Sequence, residues 1–503
     1  MKKRQNKYSL GVSAFQIILA LSLMSVSAVL LASGFRSAPS RGGSRNVVVN
    51  PAPAGAPQAA TVQPAVVSPF SDEELAAQAA AEAELRAAER TKQTGFIQQP
   101  FGFAQGTAGE APDLQSDSPP SPFEWVPTAQ ARLQNPRVLC TSMASGNWGN
   151  PAIWSCGFVP TAADDVTIAN GHTVTIDTAA VALNLTVGQG VSGVLQYDPT
   201  TARSLTLGGN ATVSVGGTFQ AGAAAATHTL SIGGNLANNG TINFSQTAVV
   251  AITFTGAASN TWGGNGSYNL AGVTIDKGTS NANLLTFTPG TGAFTVQGST
   301  TAGFLTITDG TFEIAGANAF SNNVFPTASY TIPATGGFWL NNANATVFGQ
   351  NGSPINNGLL RLTNGTFNIG TAGTNVMGAG TGAAFVVEGG TMNVAGRLNS
   401  INPVTYMQSG GTVNICTAGG CTTAPSFGFA SPLPKNFFNM SGGTINLVQV
   451  NTTIGTPVDW NQQGTVNYSG GTLHFGTGAT AVNFFFRAQG NMPGMVIDTT
   501  TND

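Results

Sequence analysis

Charge is what this sequence has least of. Of 503 residues, 18 are Lys or Arg and 21 are Asp or Glu, 8% of the chain, against about 25% in an ordinary globular protein. That scarcity excludes whole classes of function. Nucleic-acid binding takes a basic surface to neutralise phosphates, and a net charge of -3 with no basic cluster beyond the N-terminus offers none. The 3 histidines, His172, His228 and His474, are scattered, so an imidazole-based metal centre has no local motif. No phosphate-loop Lys motif occurs, and Gly263-Gly-Asn-Gly-Ser-Tyr268 lacks the Asp of a calcium-binding nonapeptide. No cofactor is implied. Disorder of the body is excluded as well, because 41% of residues are hydrophobic.

The few charges are unevenly placed. Residues 138–503 hold 6 basic and 11 acidic side chains, 17 of 366, and the rest crowd into the first 137. Lys2, Lys3, Arg4 and Lys7 precede an uncharged apolar run from Leu10 to Ala32. A basic start followed by an apolar run is the pattern of an export signal. At about 23 residues the run also reaches membrane-spanning length, so residues 1–34 are a signal peptide or an uncleaved anchor. Residues 35–137 form a Pro- and Ala-rich spacer. Within it, Ser71-Asp-Glu-Glu74 is a capping box that opens a short helix near 71–90. The body of the chain is thus expected outside the cytoplasm: extracellular, at the cell surface or periplasmic, touching a membrane only through an uncleaved N-terminus.

What the chain has in excess is glycine, 65 residues, and from about 140 onward a period of two. Val166-Thr-Ile168, Val174-Thr-Ile176, Leu205-Thr-Leu207 and Leu305-Thr-Ile307 alternate apolar and polar side chains, the pattern of strands with one buried and one wet face. Four copies of one motif follow: Phe385-Val-Val-Glu-Gly-Gly-Thr-Met-Asn-Val394, Tyr406–Ile415, Phe438–Leu447 and Val466–Phe475. Their corners are Gly389-Gly390, Gly410-Gly411, Gly442-Gly443 and Gly470-Gly471, spaced 21, 32 and 28 residues apart. Thr308–Ile314 and Thr363–Ile369 are looser copies. Glycine accepts the positive φ of such corners. An antiparallel sandwich accounts for the alternation, but corners that recur at coil-like intervals favour a right-handed parallel β-helix. Stacking also explains the missing charge, because equivalent residues lie about 4.8 Å apart and like charges repel there, whereas Thr and Asn form ladders.

Cys140 with Cys156, and Cys416 with Cys421, suit disulfides of an exported chain, although four cysteines allow three connectivities. Neither pair has the two-residue spacing of a zinc knuckle.

Ser145-Gly-Asn-Trp148-Gly-Asn-Pro-Ala-Ile-Trp154, then Pro160, Asp164-Asp165 and Gly171-His172-Thr-Val-Thr-Ile176, resembles a G8 domain over about residues 143–225. The resemblance implies an extracellular, β-rich module that continues into parallel β-helix. Trp148 and Trp154 then suit a cap on the open first coil, pinned by a Cys140–Cys156 bridge. Some animal proteins with this domain take part in hyaluronan breakdown, but no catalytic set is matched here. Residues 138–225 are therefore expected as a G8-like capping domain and 226–503 as solenoid repeats similar to those of bacterial surface proteins. Asn491–Asn502 looks like the opening of another unit, so the repeats read as truncated.

Chemistry is hard to place. Sugar hydrolysis uses a pair of carboxylates, and Asp309 with Glu313 is the nearest candidate, while Asp164-Asp165 reads as a turn. His172 and His474 read as surface residues, and the rings of Tyr406, Phe438, Trp339 and Trp460 as interior. The sequence indicates a non-catalytic structural or adhesive solenoid with glycans or other surface components as partners. A carbohydrate-active β-helix enzyme, or a glycan-binding module, is the alternative.

Overall fold

A computed structural model describes residues 137–326, 329–349, 352–418, 421, 427–429, 436–448, 458–461, 464–475, 486–489 and 494–497. All fall in one compact unit, Pro122–Asp503. The signal or anchor, the spacer to residue 136 and its helix near 71–90 lie outside the described residues, as does the side chain of Trp460.

The described chain is an all-β parallel solenoid of about 12 turns. The period-two pattern builds it directly. In Asp165–Ile168, Val166 and Ile168 are buried while Asp165 and Thr167 face outward, and Thr173–Ile176 and Asn184–Val187 repeat the arrangement. Each turn adds one strand to each of three stacks. Leu139–Thr141, Asp165–Ile168 and Asn184–Val187 begin the first face. Gly146–Asn147, Thr173–Ile176 and Val194–Tyr197 begin the second. Ala180–Ala182, Ser204–Leu207 and Thr227–Ile232 begin the third. The first-face ladder passes residue 225 without interruption, since Ala211–Val213 pairs with Leu236–Asn238 just as it does with Leu185–Val187.

The other two faces both break between residues 296 and 331. The second stops at Phe294–Val296 and restarts at Phe320–Asn323; the third stops at Leu305–Ile307 and restarts at Thr331–Ile332. The sharp corner changes edge across that break. Gly208-Gly209 lies between the third and first faces, whereas Gly389-Gly390 and Gly410-Gly411 lie between the first and second. Thr308–Ile314, which reads as a copy of the same repeat, therefore belongs to the earlier edge: Leu305–Ile307 sits on the third face and Thr311–Ile314 on the first. A strand–corner–strand motif fits any edge of the prism, and only ladder register decides which one it occupies.

The later corners stack as a column. Gly365, Gly390, Gly411, Gly443 and Gly471 have φ of 84°, 66°, 66°, 77° and 90°. A Cβ added at Gly390 meets the Gly365 carbonyl oxygen at 2.5 Å, and one at Gly411 meets that of Gly389 at 2.5 Å. Backbone packs on backbone there, with no room for a side chain.

Candidate functional site

The first coil gathers the residues of the G8-like motif. Trp148 and Trp154 are fully buried, edge to face at 5.1 Å, and the Trp154 indole donates to the Trp148 carbonyl at 2.9 Å. A single 3-10 turn, Pro151–Ile153, is capped by the Asn150 side chain and joins the two rings. Cys140 is bonded to Cys156, and Cys416 to Cys421. Pro160 is buried. The Asp164 carboxylate is buried too and accepts from the Thr161 amide at 2.9 Å and its hydroxyl at 2.6 Å, which holds the preceding turn. Asp165 instead reaches along the stack to Arg137 and Asn184. Burial opposes its ionisation, but hydrogen bonds from Arg137 and Asn184 outweigh that and hold its carboxyl below the ordinary value. His172 is half-buried rather than a surface residue, with Nδ1 3.0 Å from both the hydroxyl and the carbonyl of Ser142. The turn that carries it folds back on the first coil.

Outward-facing amides run as ladders on the second face. Asn393 donates to Asn368 at 2.8 Å, Asn414 to Asn393 at 2.7 Å and Asn446 to Asn414 at 2.7 Å. His474, half-buried, continues the row with Nδ1 3.2 Å from Asn446 Oδ1. A Thr column stands beside it, Thr391 paired with Thr412 and Thr412 with Thr444. Earlier turns repeat the device, with Gln220 donating to Gln196 and Asn269 to Asn243. The result is a row of amides and hydroxyls repeating at the strand spacing.

The first face holds a polar cluster around Trp339. Trp339 projects outward beside Glu313 and Arg361, its strand neighbours in register. The Arg361 guanidinium lies 4.1 Å over the Trp339 ring and binds Glu388 through both oxygens, at 3.0 and 2.9 Å. Thr363 accepts from the Trp339 indole at 2.9 Å and donates to Glu388 at 2.7 Å. Burial raises the Glu388 pKa, but the Arg361 and Thr363 hydrogen bonds and the Arg361 charge outweigh it, so the carboxyl stays ionised below its usual range. Glu313 is fully engaged by Thr286 at 2.8 Å and Asn341 at 3.0 Å. Its expected companion Asp309 sits at the corner before this strand and does not join the cluster.

Of the four rings named from sequence, Tyr406 and Phe438 are interior and stacked at 4.7 Å, whereas Trp339 faces outward. Sequence reasoning passed over two buried polar residues. Lys277 is wholly buried at a corner, donating to the Thr255 carbonyl at 3.1 Å and to the Asn260 side-chain carbonyl, and burial lowers its pKa. His228 is wholly buried against Tyr197 at 4.6 Å, accepting the Arg203 amide on Nδ1 at 3.0 Å. Neither carries a local motif: both lie on strands or corners whose neighbours look ordinary. Among the described residues no three His, Cys, Asp or Glu side chains group as metal ligands.

No family model matches this chain, and neither curated proteins nor solved structures provide a match.

Proposed function

We propose that this chain is an exported structural or adhesive solenoid of the cell surface or periplasm, acting through its outer faces rather than by catalysis. The observation that carries this reading is the ladder from Asn368 to His474, in which the outward amides of successive turns hydrogen-bond to one another. The two disulfides fit an oxidising compartment. Glycans are the partners such a face suits, being uncharged and rich in hydroxyls. Protease treatment of intact cells, with thiol labelling of the recovered chain, tests the placement. Digestion from outside, or release with the periplasm, with all four cysteines blocked supports it; a reduced cytoplasmic chain sinks it.

A carbohydrate-active enzyme is the second reading, and it draws on the Glu388–Arg361 pair beside Trp339. It predicts release of new sugar ends from a polysaccharide panel and loss of that release in Glu388→Gln. A chain that leaves every polysaccharide in the panel uncut favours the structural reading.

A further inference from the structure

Lys277 is a buried cation without a counter-charge. Arg137, Arg203 and Arg361 each meet a carboxylate, of Asp165, Asp198 and Glu388. Lys277 is wholly buried, and among the described residues no acidic side chain pairs with it. An unpaired ammonium is costly to desolvate, so burial lowers its pKa and shifts the amine toward its neutral, nucleophilic form. The stacking of corners sets where that amine points. Gly272–Asp276 lies on the third face and Leu284–Phe287 on the first, and Lys277 opens the corner between them. Asn260 ends the equivalent corner of the preceding turn, where Val249–Thr255 gives way to Asn260–Gly263. The Lys277 backbone is held on both sides: its amide donates to the Asp309 carbonyl at 3.0 Å, and its carbonyl accepts from the Asn283 side chain at 2.7 Å. The side chain reaches back one turn, and its Nζ donates to the Thr255 carbonyl at 3.1 Å and to the side-chain carbonyl of Asn260.

We propose that Lys277 and Asn260 are joined by an isopeptide bond, an amide cross-link between the same corner of two successive turns. The Lys277 nitrogen attacks the carbonyl carbon of the Asn260 side chain. A new C–N bond forms, the bond to Nδ2 breaks, and one Nζ proton leaves with that nitrogen as ammonia. Nothing is oxidised or reduced, and no co-reactant is consumed. Amines attack amides slowly in water, but two groups held in contact react at effective molarities of about 10⁵–10⁸ M, and each chain needs only one turnover. Asn260 is half-buried, which leaves the ammonia a way out to solvent. The product also removes the cost of the site. A neutral secondary amide replaces the buried ammonium, and its remaining N–H keeps the Thr255 carbonyl as acceptor. The bond closes a loop of sequence separation 17, one turn before the second-face ladder stops at Phe294–Val296. It goes beyond the adhesive reading and does not rest on it.

A tryptic digest tests the bond, because trypsin cleaves after a free Lys277 and its adjacent sites are Arg203 and Arg361. The full chain, purified folded and then denatured and digested, is expected to yield Ser204–Arg361 undivided and lighter than its sequence by one ammonia. Tandem mass spectra should place the link between Asn260 and Lys277. Asn260→Ala removes the carbonyl, and Lys277→Arg removes the amine while keeping a trypsin site. Each variant should lose the link and give fragments 204–277 and 278–361 at their full sequence masses. Cleavage after Lys277 in the wild type overturns the proposal. An undivided fragment of full or greater mass, the mark of a capped lysine, overturns it as well. So does an ammonia loss that persists in Asn260→Ala, which belongs to a succinimide elsewhere. The wild-type digest decides alone if either variant misfolds.

Discussion

Single residues set the limits of this fold in two ways, by space and by protonation. Gly411 combines a φ of 66° with a backbone oxygen 2.5 Å from any added Cβ, whereas Gly382 has a φ of 82° and nothing within 4 Å. Gly382→Ala should therefore cost only left-handed strain, about 1–2 kcal/mol. Gly411→Ala must also push the neighbouring coil away, so its loss in urea midpoint should be clearly the larger; equal losses would show that the column is not tightly stacked. His228 supplies the pH dependence. Burial lowers its pKa from 6.5, with Asp198 opposing that shift and Arg203 adding to it. The unfolded chain takes up a proton that the folded chain resists, so this contribution is complete above pH 6.5 and is lost as pH falls through the depressed folded value. Urea midpoints of the wild type should fall from about pH 7.5 to about pH 5 by more than those of His228→Gln, which keeps an acceptor for the Arg203 amide. Parallel slopes in the two proteins would contradict this. His228 shares the inward phase of Leu230 and Ile232, so the alternation itself marks a core position, and only the polar type of the side chain argues against that reading.

At the scale of elements, ladders and bridges hold one turn to the next. Asn414 donates to Asn393 and accepts from Asn446. Asn414→Ala removes both bonds and should cost about 1–2 kcal/mol at a net value near 1 kcal/mol each, offset in part by water at a half-buried site. A double-mutant cycle with Asn393→Ala should show coupling, since the two truncations share one bond. Additive losses would mean that the ladder contributes nothing in solution. Replacing Cys140 and Cys156 by Ser opens a closed loop of sequence separation 16, worth about 3 kcal/mol in the chain-entropy model. Because Trp148 and Trp154 pack within that loop, tryptophan fluorescence should change at lower urea than strand circular dichroism in the variant, and together with it in the wild type. The pairing of Thr391–Val394 with Thr412–Ile415 follows from like residues in like places. The placement of Thr308–Ile314 does not, because its local pattern is compatible with either corner.

Across the whole described solenoid, cooperativity depends on how many faces carry the ladder through each turn. Nearest-neighbour coupling is the rule in stacked repeats, and between residues 297 and 330 only the first face is continuous. Amide hydrogen exchange should therefore be faster in peptides from Gln297 to Tyr330 than in those from Leu230 to Phe294 or Phe385 to Ile415. Uniform protection along the chain would show that the break is closed in solution.

Local rules determined much of this protein by sequence alone. Alternation of period two needs only neighbouring residues to be read, and it placed the strands and their buried faces. Paired glycines marked corners because positive φ disfavours residues with a side chain, and the shortage of charge followed from like stacking on like. The close spacing within Cys140–Cys156 and Cys416–Cys421 made those pairings legible as well. The tertiary structure decided whatever depends on register between turns a coil apart. It set which edge each corner occupies, that Trp339 meets Arg361 and Glu388, that Lys277 lies in the core, and that the second face opens at Phe294 and Phe320. These are differences of one strand in a stack, and sequence patterns that repeat every two residues carry no information about which neighbour a strand selects.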